Sequence, residues 1–155
     1  VLCDTMPERF DRLKHKAYIY LTAGREVLVF RQPDQPEVGL QVPGGTVDPG
    51  ESHLGAACRE FREETGLEVA RALFDNFQGR DIHARRLYHG RLRGNETRRP
   101  RWEHYEMTPS AGGDPIRFEL FWMDVGKALQ LGPERFFTGF HAPLAELARR
   151  LGIAP

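Results

Sequence analysis

The stretch SHLGAACREFREETG, residues 52–66, leaves this chain the least structural freedom. Leu54, Ala57, Cys58 and Phe61 recur at i, i+3, i+4 and i+7, the spacing of a single apolar stripe on an α-helix. Ser52 is a residue type that caps helix starts, and Gly66 is a type that closes helix ends. Both boundaries are therefore specified locally, and the spacing predicts a helix over 52–65. At about 100° per residue, Glu60, Glu63 and Glu64 fall on a face turned away from the stripe. Positions three and four apart are surface neighbours, so their carboxylates converge.

Convergence of like charge costs about 0.2–0.5 kcal/mol per pair in water, and more as solvent is withdrawn. Arg59 offers one positive charge on one side of the cluster. A divalent cation offsets more: magnesium is a hard ion that prefers oxygen ligands, and carboxylates held on a rigid helix suit it. The alternative is a solvated, glutamate-rich helix face. Taken alone, the three glutamates support the two readings equally.

The rest of the chain supplies a sheet for this helix. Ala17, Ile19 and Leu21 alternate with Tyr18 and Tyr20 in a strand that starts near His15, and a turn signal at 22–25 leads to a second strand, Glu26–Phe30. The segment LQVP, residues 40–43, is a brief extended piece that runs into Gly44-Gly45 and a loop. Further strands are expected within 67–77, 81–93 and 116–125, a turn at 109–115, and a loop at 129–139. A terminal helix over 142–151 carries Leu144, Leu147, Ala148 and Leu151 at helical spacing. Residues 1–14 read as an irregular lead-in. A length of 155 residues, 40% hydrophobic content, 16 Gly and 11 Pro describe one loop-rich α/β domain spanning 1–155.

Lys and Arg total 22, as do Asp and Glu, so global charge argues for neither a nucleic-acid nor a membrane partner. No apolar run approaches the roughly 20 residues of a membrane span. Cys3 and Cys58 are too few for a disulfide framework, so a cytoplasmic location is the expectation.

From Gly45 the sequence places Glu51 six positions on, and then Arg59-Glu60-Phe61-x-Glu63-Glu64-x-Gly66-Leu67. This resembles, position for position, the signature of the Nudix hydrolases, with Phe61 bulkier than the aliphatic residue commonest at its place. The resemblance implies a Nudix fold, a mixed β-sheet sandwiched between α-helices. It also implies hydrolysis of a nucleoside diphosphate linked to another moiety, with Mg2+ or Mn2+. On that pattern Glu60, Glu63 and Glu64 bind metal, and Glu60 or Glu63 also serves as the base for the attacking water. The Gly44 carbonyl is a further metal ligand, and Glu51 pairs with Arg59 to tie the loop to the helix. Consecutive glycines independently suit a backbone that approaches a ligand closely. Homodimers are common in that family, so a homodimer is compatible with the resemblance.

Other catalytic chemistries fit poorly. Neither serine, Ser52 or Ser110, sits in a G-x-S-x-G elbow, and no covalent intermediate is expected. Cys58 lies on the apolar stripe, where packing outweighs nucleophilic use. His53 and His104 lack the H-E-x-x-H spacing of zinc enzymes. A further acidic metal ligand is sought among Glu103, Glu106 and Glu119, each of which also reads as an ordinary surface charge. The segment 80–101 carries Arg80, Arg85, Arg86, Arg91, Arg93, Arg98, Arg99 and Arg101 against only Asp81 and Glu96. It reads either as a phosphate-attracting patch or as a solvated strand face with a loop at 94–97. Arg86 and Arg101 from this segment and its neighbour Trp102 are the expected substrate contacts. Tyr88, Trp102 and Tyr105 suit either base stacking or core packing. A nucleotide-type substrate is the expected partner, and an RNA is compatible but has no specific support. The opposing functional class is a nucleotide-binding module without turnover, against which the intact acidic positions argue.

Overall fold

Strand β1, Lys16–Ala23, is buried on both of its faces, which is what a central strand needs when helices cover both sides of a sheet. In this computed structural model, residues 14–68, 74–76, 85–92, 99–109 and 111–154 are described. The elements are β1, β2 (Glu26–Arg31), β3 (Gly44–Thr46), α1 (His53–Thr65), β4 (Phe74–Asn76), β5 (Arg85–Arg91), β6 (Arg101–Glu106), β7 (Ile116–Asp124), α2 (Val125–Gln130) and α3 (Leu144–Arg150). Short 3-10 turns span Pro36–Val38 and Pro133–Arg135.

The seven strands form one mixed sheet in the order β4-β5-β1-β2-β7-β6, with β3 paired to β1 off that path. β1 runs parallel to β5, and the other pairings are antiparallel. Alternation along the strands divides the core. Ala17, Ile19, Leu21, Leu28, Phe30, Tyr88, Phe118 and Leu120 meet Ala56, Ala57 and Phe61 of α1 on one face. Tyr18, Tyr20, Val27, Val29 and Leu87 meet Val125 and Ala128 of α2 and Leu144, Leu147 and Ala148 of α3 on the other. The sheet is thus sandwiched between helices, as the resemblance implies.

Most of the sequence reading of α1 holds. The Ser52 hydroxyl accepts the Gly55 N–H at 3.0 Å, and Gly66 ends the helix in the left-handed region at φ 75°. The first hairpin is tighter than expected, because Thr22 and Ala23 still belong to β1 and pair with Val27 and Glu26. Gly44 and Gly45, read as the start of a loop, form β3 instead. A Cβ on Gly44 would strike the Ala17 carbonyl and the Tyr18 ring, so only glycine lets the two backbones come this close.

Two elements lie outside the sequence reading. β6 pairs residue for residue with β7, and α2 begins where β7 ends, its Lys127 N–H capped by the Asp124 carboxylate at 3.1 Å. The expected strands within 67–77 and 81–93 appear as β4 and β5. Residues 69–73, 77–84 and 93–98 of those segments lie outside the described residues, and with them Arg80, Asp81, Arg93, Glu96, Arg98 and the expected loop at 94–97. The lead-in 1–13, with Cys3, and Ser110 also lie outside them. The terminal helix is shorter than its apolar spacing suggests, starting after Pro143 and ending before Leu151. No helix of the described residues is long and apolar enough to cross a membrane.

Candidate active site

α1 lies across β1, β3 and β6, so its acidic face meets the glycine strand on one side and the end of β6 on the other. Glu60, Glu63 and Glu106 each offer a carboxylate oxygen, and the three atoms lie within 4.8 Å of one another. Three anionic oxygens at that separation repel strongly in a half-buried site, and the surroundings show how they are held. Arg59 is the local counter-charge. Its guanidinium donates to Glu51 at 2.8 and 3.0 Å, to Glu60 at 3.0 Å, to Glu63 at 3.3 Å and to the Thr46 carbonyl at 3.0 Å. One side chain therefore fastens the 46–51 loop to the helix and aligns two of the three carboxylates. The expected Glu51–Arg59 pair is present, and its hydrogen bonds make the Arg59 proton harder to remove than usual.

One cation is not enough for this cluster. Burial pushes the Glu60 carboxyl up to about 7, against the pull of Arg59, and Glu63 and Glu106 add to the rise. Glu106 is raised for the same two reasons, burial first and the Glu63 charge next. On the glycine side, a Cβ at Gly45 would lie 2.6 Å from Glu60 Cδ and 2.7 Å from Oε2. The missing side chain is therefore the space that the Glu60 carboxylate occupies.

Glu64 departs from the sequence reading. It does not share an exposed face with Glu60 and Glu63 but lies three residues from Phe61 on the sheet side, 8% exposed. Its Oε1 accepts the Gly44 N–H at 2.7 Å, and burial raises its carboxyl well above the usual range. That bond sets the Gly44 N–H, and not the carbonyl expected as a ligand, against Glu64.

Strand register sorts the remaining candidates. Trp102, His104 and Glu106 alternate onto the α1 side of β6, while Arg101, Glu103 and Tyr105 take the opposite side. Glu103 pairs with Arg117 at 3.0 Å, and Glu119 with Arg31 and Arg101 at 3.1 and 2.7 Å, so only Glu106 of the three joins the cluster. The three chosen substrate contacts do not form one patch. Arg86 stands exposed on the rung of Ala17, whose other neighbour is Gly45, and so lies on the α1 side of the sheet. Trp102 packs partly buried against that core and donates its indole N–H to the Thr65 carbonyl at 2.9 Å. Arg101 lies across the sheet. Tyr88 is core, Tyr105 is 49% exposed, and Cys58 packs at the core edge. His53 meets the His15 ring edge-on, and His104 lies against Gly66.

The chemistry of the donor set fits a hard divalent cation: several carboxylate oxygens, a cradle that a Cβ would fill, and titrating groups that burial alone leaves poorly charged. The chain is similar to known proteins in sequence and in fold. The sequence matches the NUDIX domain over residues 13–138. A Bacillus subtilis (strain 168) protein, provisionally named as an 8-oxo-dGTP diphosphatase, is 46% identical over 52 residues, 34% of each chain. The RNA pyrophosphohydrolase of Erythrobacter litoralis (strain HTCC2594) is 36% identical over 92 residues, 49% of this chain and 52% of that one. The chain thus spans from about a third to three fifths of the length of the curated relatives it matches. A MutT/nudix family protein from Enterococcus faecalis shares the fold at a TM-score of 0.62 and 16% identity, over 98% of this chain and 70% of that one. With the domain match running from residue 13 to residue 138, most of its length, this chain belongs to the NUDIX domain family.

Proposed function

We propose that the chain is a metal-dependent pyrophosphohydrolase, cleaving the phosphoanhydride of a nucleoside diphosphate linked to another moiety by attack of water at phosphorus. The observation that carries this reading is the convergence of Glu60, Glu63 and Glu106 within 4.8 Å. These three hold Mg2+ or Mn2+, and Glu64 and the Gly44 carbonyl complete the ligand set. A bound divalent ion supplies neutralisation of the phosphate oxygens and a more acidic water.

The chain's own groups do the rest. Arg59 fixes the angle of Glu60 and Glu63 and, through Glu51, the loop that frames them. Glu60 or Glu63 takes the proton of the attacking water, with no covalent intermediate on the protein. Arg86 attracts the anionic substrate from the same side of the sheet, offering a guanidinium fork to phosphate. The bare backbone at Gly45 leaves the Glu60 carboxylate its place beside β3, which a side chain there would take.

The relatives' names support nucleotide substrates in general, and we take the class as nucleoside diphosphate derivatives, with RNA ends among them. The 155 residues act as one domain in this reading, and a reducing cytoplasm suits the cysteines.

The test is a panel of nucleoside di- and triphosphates, dinucleoside polyphosphates and 5′-triphosphorylated RNA, incubated with Mg2+ and analysed for products. Cleavage of at least one member, lost with EDTA and reduced by 10³-fold or more in Glu63→Gln or Glu64→Gln, is the expected result. A folded wild type that binds nucleotides and cleaves none would overturn the proposal.

A further inference from the structure

The sheet face away from α1 carries a second concentration of charge. There Phe121 and Met123 of β7 floor a cavity of about 510 Å³, a size typical of small-molecule sites. Pro36 and Leu40 from the loop after β2 form one wall, and Leu131 and Arg135 from the segment after α2 form another. The two walls are joined: the Leu40 N–H donates to the Arg135 carbonyl, and the Phe137 N–H donates to the Leu40 carbonyl, both at 2.9 Å. A cavity bounded by hydrogen-bonded backbone is preformed and costs little to organise on binding.

Three arginines, Arg31, Arg101 and Arg135, are among its lining residues. Strand register brings the first two together, because Arg31 pairs with Glu119 across β2–β7 and Arg101 with Phe121 across β6–β7. The Glu119 carboxylate accepts one N–H from each, at 3.1 and 2.7 Å. The Arg101 guanidinium carbon also lies 5.0 Å from the centre of the Phe121 ring. Each guanidinium has five N–H donors, so these bonds leave donors to spare. One carboxylate against three cations leaves an excess of about two positive charges beside an apolar floor. Glu37 and Glu134, close in sequence, do not line the cavity. In a chain with no net charge, such a local excess is an anion site in waiting.

We propose that this cavity is a second ligand site, for a nucleoside monophosphate or a similar phosphate-bearing ring. The ring rests on Phe121, Met123 and Leu40, and the phosphate meets Arg135 with the free donors of Arg31 and Arg101. Planar forks over an aromatic floor suit this combination better than they suit a bare anion or a bare ring. No residue of the Glu60–Glu63–Glu106 cluster lines the cavity, so the inference does not rest on the proposed hydrolysis.

The experiment titrates adenosine 5′-monophosphate, adenosine and inorganic phosphate into the metal-free protein in EDTA, followed by backbone amide NMR and calorimetry. The monophosphate is expected to shift the amides of Leu40, Phe121, Met123, Leu131 and Arg135. It should bind at least tenfold more tightly than adenosine or phosphate alone, bind Glu63→Gln unchanged, and bind Arg135→Gln at least tenfold more weakly. Shifts confined to α1 and β3, equal affinity for phosphate and the monophosphate, or an Arg135→Gln variant that binds as well as wild type would each overturn it. The wild-type shift map stands whether or not the variant folds.

Discussion

Two adjacent glycines, 44 and 45, should respond to the same substitution in opposite ways. In Gly45→Ala the added methyl would lie 2.6 Å from Glu60 Cδ, and ordinary contact begins at 3.4 Å, so the carboxylate must retreat by about 0.8 Å. Glu60 is the end of a flexible side chain, so it can move without disturbing the sheet. A misplacement near 1 Å in a reacting constellation costs about 10²-fold in rate, or ~2.7 kcal/mol of transition-state stabilisation. Gly45→Ala should therefore lose about 10²-fold in kcat/KM and about tenfold in Mn2+ affinity, while Tm stays within roughly 4 °C of wild type. In Gly44→Ala the methyl meets the Ala17 carbonyl, the Tyr18 ring and, at 2.6 Å, Tyr18 Cα. That is fixed backbone of the central strand, and yielding would open the β1–β3 ladder. A cost of about 3 kcal/mol and a fall in Tm of roughly 6–12 °C are expected. Thermal melts and initial rates on both variants provide the assay. Wild-type turnover and Mn2+ affinity in Gly45→Ala, or equal destabilisation by the two substitutions, would refute the reasoning.

The cluster should also respond to pH. The Glu60 carboxyl is raised from 4.5 to about 7, so the folded, metal-free protein holds that proton where the unfolded chain has released it. Its contribution to stability is therefore present below pH 4.5 and fades as pH rises to 7. In EDTA this should appear as a decline of about 1–2 kcal/mol, allowing for solvent screening, that Glu60→Gln removes. Mn2+ affinity should run the other way, weakening as pH falls through 7 because protons and metal compete for the same oxygens; calorimetry at pH 6 and pH 8 reads this. Arg59→Ala removes a donor from Glu51, Glu60 and the Thr46 carbonyl and should cost about 2–3 kcal/mol in denaturant unfolding, with Arg59→Lys recovering only part. Glu106→Gln should weaken Mn2+ binding at least tenfold in calorimetry. Glu103→Gln, which alters only the pair with Arg117, should leave it within twofold.

What the sequence made legible was mostly what is decided locally. The boundaries of α1 follow from Ser52 and Gly66, whose caps are contacts within a single turn, and the Glu51–Arg59 pair spans only eight residues. Glu64 shows where local reasoning ends. Its place on the helical wheel borders the apolar stripe, and whether it faces solvent or core depends on β3, which lies 20 residues away and meets it through Gly44. The choice of Glu106 over Glu103 and Glu119 is likewise a matter of register. Alternation along β6 fixes which side each residue takes, but the pairing of β6 with β7 was needed to assign the sides. β3 itself was hidden because two glycines carry no strand signal in their side chains; the strand exists because β1 accepts a bare backbone there. Arg101 suits phosphate and Trp102 a base, but as adjacent residues of β6 the two-residue period of a strand puts them on opposite faces.

The proposed hydrolysis requires the acidic cluster to be a metal centre, and diffraction at the manganese absorption edge tests that directly. Crystals grown with Mn2+ should give an anomalous peak bounded by the carboxylates of Glu60, Glu63 and Glu106, and the peak should vanish in Glu60→Gln. Anomalous signal only elsewhere on the surface, or none at saturating Mn2+, would contradict it.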